Sequence, residues 1–165
     1  MSAQNQLDQQ KQTDDILLHC LDMLDGKCPP TTFSQVSTEE LERLYARGYQ
    51  ALNNGKNEEA TEIFAFLAMQ QPLDRRFTFA FACTLKEQGE FRHALTLFTQ
   101  TMAMQANEPF AIFHIAECLL GLEEREAARD ALDAVITLCY AQADLDPNYD
   151  LLRSRAEDLL VSLNH

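Results

Sequence analysis

Apolar residues recur at helical spacing along nearly the whole chain, and no stretch alternates convincingly at period two. The pattern therefore predicts helices and no sheet. Residues 1–12 read as a disordered start. Thr13 caps a short amphipathic helix that carries Ile16, Leu17, Cys20, Leu21 and Leu24 on one side and stops at Gly26. Pro29 and Pro30 cannot continue it, and residues 27–36 read as a linker. Ser37-Thr38-Glu39-Glu40 has the form of a capping box, so a strong helix is expected to begin there. Six helices follow in pairs, with breaks near Asn54-Gly55, Gln71-Pro72, Gln88-Gly89, Asn107-Pro109, Gly121-Leu122 and Leu138-Tyr140. Asp146-Pro147 opens a last helix, Asp as cap and Pro at its first position, with the stripe Leu152, Ala156, Leu159 and Leu163.

The paired helices repeat. Aligned at a period of 34 residues, Gly48, Ala82 and Ala116 share a column, as do Ala60, Ala94 and Ala128, and Phe64, Phe98 and Leu132. Gly55 and Gly89 share a fourth column, and in the third unit the turn glycine is read as shifted to Gly121. Small residues in matching columns let helix backbones approach closely, and a fixed period signals stacked supersecondary units rather than a closed globule around a catalytic cleft. The columns resemble the tetratricopeptide (TPR) pattern, although its tryptophan position never holds Trp and its closing proline, present as Pro72, is replaced by Ala106 and Tyr140. The expected fold is all-α: three tandem TPR repeats (residues 41–74, 75–108 and 109–142, within 37–142) forming a short right-handed solenoid. Residues 1–36 supply the start, N-terminal helix and linker, and residues 143–165 a C-terminal capping helix.

Composition narrows the function. The chain has 165 residues, 46% of them hydrophobic, and a formal net charge of −13. An acidic surface repels nucleic acid and anionic lipid, so neither nucleic-acid binding nor stable membrane association is expected. The apolar runs are too short to span a bilayer, and the polar, glutamine-rich N-terminus lacks the plan of a secretory signal, so the expected location is the cytoplasm. Five cysteines without C-x-x-C spacing read as reduced apolar residues rather than a disulfide frame or zinc site. His114, Glu117 and Cys118 have a helical spacing that three metal ligands could use, but no second ligand cluster follows them. No nucleophile elbow, phosphate loop or dinucleotide fingerprint is present. The expectation is a protein with no catalytic residues, no metal and no cofactor; a reactive thiol at Cys83 is the distant enzymatic alternative.

Within each first helix of a repeat, the fourth, eighth and eleventh positions face the packing side. Positions two, five, nine and twelve form a second stripe displaced by roughly 130°. It reads Glu42, Tyr45, Tyr49, Leu52, then Arg76, Phe79, Cys83, Lys86, then Phe110, Phe113, Glu117, Leu120. An aromatic residue fills position five in all three units. Packing already accounts for the first stripe, so the second is either an inter-repeat contact or, as the TPR resemblance implies, the lining of a concave groove. The expected reading is a groove that takes an extended apolar segment between aromatic walls, with Arg76, Lys86 and Glu117 fixing its backbone or register.

Leu44-Tyr45 with Gly55 downstream, Glu59-Ala60 followed by Ile63-Phe64, and above all the string from Phe113 to Leu119 resemble the class II chaperones of bacterial type III secretion systems. The resemblance implies a client, a hydrophobic translocator protein held soluble and unassembled before export. It implies that the client docks an extended segment with proline and leucine anchors, and it places the binding role on Tyr45, Tyr49, Phe79, Phe110 and Phe113. The N-terminal helix either caps the array or pairs with a second copy; the resemblance implies a homodimer through this region, for which Leu17, Leu21 and Leu24 are the candidate edge. A general TPR adaptor for a folded protein or a charged peptide tail is the alternative. Such a groove is lined with Lys, Arg and Asn, whereas only Arg76 and Lys86 are basic on this stripe.

Overall fold

The structure, a computed structural model, describes Asp22, Asp25, Lys27 and the run from Val36 to His165. The expected disordered start, the Leu17, Leu21 and Leu24 edge of the N-terminal helix, and linker residues 28–35 fall outside the described residues. From Val36 onward the chain forms seven α-helices and no strand. They are α1 (Thr38–Asn53), α2 (Asn57–Gln70), α3 (Arg75–Glu87), α4 (Phe91–Met104), α5 (Pro109–Gly121), α6 (Arg125–Ala141) and α7 (Asn148–Leu163).

The start of α1 is the expected capping box. Ser37 Oγ accepts from the Glu40 N–H at 3.3 Å, and the Glu40 carboxylate accepts from the Ser37 N–H at 3.3 Å. The 34-residue period then reappears in the backbone itself. The N–H groups of Gly55, Gly89 and Glu123 donate to the carbonyls of Leu52, Lys86 and Leu120, each at 3.0 Å. The next N–H groups, of Lys56, Glu90 and Glu124, donate to Ala51, Leu85 and Leu119, each at 2.9 Å. These bonds close the first helix of each pair, and they require a left-handed residue, with φ of 74° at Gly55, 80° at Gly89 and 63° at Glu123. The reading of Gly121 as a shifted turn glycine is therefore corrected. The third turn keeps its place in the period with a glutamate in it, and Gly121 is the last residue of α5.

Gly121 and Gly48 serve close packing instead. A methyl group on Gly121 would overlap the Phe91 ring, and a Cβ on Gly48 would lie 2.6 Å from the Phe64 ring. A second boundary also differs from expectation. Helix α6 runs through the break expected at Leu138-Tyr140 and ends at Ala141. Tyr140 stands in the column where Pro72 stops the first repeat, and tyrosine removes no N–H and adds no ring clash.

The described residues fall into two compact units, divided within α3 between Thr84 and Leu85. In the first, α1 packs on α2 and buries Ala51, Ala60, Phe64 and Leu67. In the second, α4 packs on α5, α5 on α6, and α6 on α7. Its core holds Phe113, Ala116, Leu132, Val135, Cys139, Leu152 and Ala156. Helix α7 lays Leu152 and Ala156 into this core, with Leu159 and Leu163 partly buried beside them. It begins at Asn148, one residue later than expected, with Pro147 at the capping position; just before it the Asp146 carboxylate accepts from the Asn148 N–H at 2.8 Å. Its end is held from α6, where Arg125 donates to the Leu163 carbonyl and Arg129 to Asn164 Oδ1, each at 3.3 Å.

Candidate functional site

In the first unit the expected groove positions Tyr45 and Tyr49 of α1 form an aromatic cluster over a buried aromatic floor. Phe64 and Phe77 are the floor, both essentially inaccessible. Tyr45 lies on them, its ring centroid 6.0 Å from that of Phe64 and 5.4 Å from that of Phe77. Tyr49 meets Tyr45 edge-on at 5.0 Å and Phe64 at 5.2 Å, and the Tyr45 hydroxyl donates to the Tyr49 hydroxyl at 3.4 Å. Such edge-to-face geometry is the preferred arrangement of aromatic pairs. Tyr49 is 41% exposed, so this cluster reaches the surface as a phenol ring. Burial of part of that ring pushes its phenol pKa above the usual value, so Tyr49 stays neutral. Leu52 on α1, and Phe79 and Cys83 one turn apart on α3, are half-buried; the Arg75 guanidinium sits 5.5 Å above the Phe79 ring.

Arg76 does not stand free. It makes a two-pronged contact with Glu42, Nη2 to Oε1 at 2.7 Å and Nη1 to Oε2 at 3.3 Å, and a second with Asp74, Nη2 to Oδ2 at 2.8 Å and Nε to Oδ1 at 3.2 Å. Its hydrogen bond holds the Asp74 carboxyl below its usual value. The guanidinium centre lies 5.2 Å from both the Tyr45 and the Phe77 ring centroids, within cation–π range. Asp74 and Phe77 were not among the expected site residues. Asp74 had a sequence signal, because it sits where an N-cap belongs, directly before α3, and it accepts from the Arg76 N–H at 3.1 Å.

In the second unit the expected groove positions are absorbed into structure. Lys86, with only 11% of its side chain exposed, donates to Glu117 and also approaches His114 Nδ1 at 2.9 Å. His114 stacks on Phe98 at 5.0 Å with the rings nearly parallel. Burial alone would raise the Glu117 carboxyl, but hydrogen bonds from His114 and Lys86 and the charge of Lys86 outweigh it and hold the group at about 2. Arg155 of α7 approaches Glu117 at 3.8 Å and lies 4.8 Å above the Phe113 ring. Phe113 itself is 1% exposed and belongs to the α5–α6–α7 core, so its expected place as a groove wall is corrected. Phe110 packs on the same core, 5.7 Å from the Tyr149 ring. Helical periodicity assigns a residue to a face but does not say which neighbour covers that face. The sequence held one warning, since Pro109–Gly121 is apolar nearly all round and a helix of that kind is buried on more than one side.

The remaining chemistry is structural. Cys118 is buried, which pushes its thiol up to about 11, and burial likewise raises Cys139. Among the described residues no three His, Cys, Asp or Glu side chains come together as a metal site, and no helix is long and apolar enough to cross a membrane.

No family model matches the chain. Low calcium response locus protein H of Yersinia pseudotuberculosis is 29% identical over 130 residues, which are 79% of this chain and 75% of that protein. The structure of SycD, a type III secretion chaperone of Yersinia enterocolitica solved with a peptide of the translocator YopD, superposes with a TM-score of 0.70 at 26% identity, covering 79% of this chain and 97% of SycD. PcrH, solved with the chaperone-binding region of PopB, superposes with a TM-score of 0.68 at 30% identity, covering 78% of this chain. That last alignment takes in 100% of the PcrH chain, and the chain accordingly belongs to the class II translocator chaperones of type III secretion.

Proposed function

We propose that this protein is a cytoplasmic, non-enzymatic chaperone that binds an extended apolar segment of a hydrophobic translocator and keeps it soluble and unassembled before export. The relatives solved with translocator segments support the client class. One observation supports the place of binding. The first unit presents Tyr49, Tyr45, Leu52, Phe79 and Cys83 as an open or half-open apolar surface, while both basic residues of the stripe are neutralised by carboxylates. A tail-binding adaptor needs free cations to meet a charged peptide, so the apolar client is favoured. Among the sequence-derived positions, Phe113, Lys86 and Glu117 leave the proposed contact set and serve the fold. Self-association of the kind seen for SycD, solved also as an alternative dimer, is part of the same proposal.

Co-expression of the chain with its neighbouring open reading frames is the test. A partner carrying one or two membrane-inserting stretches should become soluble and elute with it. The double variant Tyr49→Ala, Phe79→Ala should fold and lose the partner, because aromatic anchors at the centre of an interface carry a large share of its energy, about 2 kcal/mol or more each. Undiminished capture by the folded double variant would place the client elsewhere, and failure of every neighbouring frame to be solubilised would remove the chaperone reading.

A further inference from the structure

The sequence pattern assigns Glu42 and Arg76 to the same column of successive repeats and gives a client-contacting role to Arg76. The structure ties them to each other. Arg76 has five N–H groups, and its contacts to Glu42 and Asp74 engage the guanidinium on two edges. Little of it remains to grip a peptide. Nor does the network contribute much to folding, because the Arg76 and Glu42 side chains are 48% and 47% exposed and ion pairs so open to water add little stability. What it does fix is direction. Held from two sides, the guanidinium plane rests over Tyr45 and Phe77; Tyr45 in turn donates to and packs edge-on against Tyr49, the most exposed ring of the cluster.

We propose that Arg76 is a positioning residue for client capture, acting through the relay from the Glu42 and Asp74 carboxylates to Arg76, Tyr45 and Tyr49. Its work is done before any client arrives. A preset ring costs less ordering on binding than one that must be immobilised at that moment. A lysine cannot replace it, since a single ammonium has no fork with which to hold two carboxylates and cover a ring at once. The inference rests on the chaperone reading for its consequence, but the relay itself is a property of the free protein.

The two parts can be tested separately. Ring resonances of the four tyrosines are recorded on the free protein for wild type, Arg76→Met and Arg76→Lys. Tyr140 and Tyr149, in the second unit, serve as internal references. Tyr45 will respond to the lost charge in any case. The decisive signal is Tyr49, whose hydroxyl and ring meet Tyr45 and which should shift in both variants. Affinity is then read with a fluorescent peptide of the solubilised partner's captured segment. Both variants should bind about tenfold more weakly while melting close to wild type. An unmoved Tyr49 signal overturns the relay even if no client is ever found. A moved Tyr49 signal with unchanged affinity, or full rescue by lysine, overturns the positioning role while leaving the chaperone reading intact. Absence of any captured partner defeats the chaperone reading alone.

Discussion

Glu123 offers a direct measure of how strictly the 34-residue period governs the backbone. Its φ of 63° sits in the column that glycine fills at Gly55 and Gly89. For an L-residue this conformation costs roughly 1–2 kcal/mol relative to glycine, because the Cβ crowds the following carbonyl. Replacing Glu123 by glycine removes that strain but gives the unfolded chain more freedom, which offsets about 0.4–1 kcal/mol of the gain. The net expectation for Glu123→Gly is about 0.5–1 kcal/mol of added stability, or about 1–4 °C in melting temperature for a chain of this size. Thermal and urea melts followed by circular dichroism resolve a change of that order. Two comparisons isolate the cause. Gly89→Ala should lose about 1 kcal/mol, and that loss reports the backbone alone, because a Cβ built on Gly89 meets nothing within 4 Å. Glu123→Gln removes the negative charge and keeps the strain, so it should barely move the melt. A Glu123→Gly protein that melts at or below the wild-type temperature, with Gly89→Ala losing its expected amount, refutes the reasoning.

Three further outcomes follow from the packing and the titrating groups. Gly121→Ala drives a methyl into the Phe91 ring and should cost about 1–3 kcal/mol in urea denaturation, as overpacked cores do. Glu117 has its folded pKa depressed from 4.5 to about 2, so its contribution to stability is complete above the unfolded value and is lost as pH falls from about 5 toward 2. Discounted for partial exposure, that contribution is about 2 kcal/mol; Glu117→Gln should therefore be less stable than wild type at pH 7 and converge with it near pH 2, whereas a gap independent of pH would contradict the ion-pair account. In the native protein at pH 8, Cys118 and Cys139 should resist alkylation that reaches half-buried Cys83, checked by peptide mass mapping, since their burial both shields the thiols and keeps them protonated.

The parts of this molecule that a sequence can announce are those written in local chemistry. The capping box at Ser37, the left-handed glycines at 55 and 89, and the alanine columns at 60, 94 and 128 each act within a few residues, and each appears in the structure where the pattern placed it. The third turn shows the limit of reading residue types. The backbone demand at position 123 persisted when the glycine did not, and the nearby Gly121 was answering a different demand, room for Phe91. The site followed the same division. Tyr45 and Tyr49 could be assigned to a common face because four residues separate them on one helix, and their contact needs no third party. Phe113 occupies the same helical position as Tyr45, yet it is sealed by α6 and α7, whose arrival is a property of tertiary packing. Charge behaved likewise. The stripe read in one dimension holds just two basic residues, Arg76 and Lys86, and in the structure each meets a carboxylate from a distant position, Glu42 from 34 residues away and Glu117 from 31. Both pairings span roughly one repeat, 34 and 31 residues, so the period that organises the helices also sets which charges cancel.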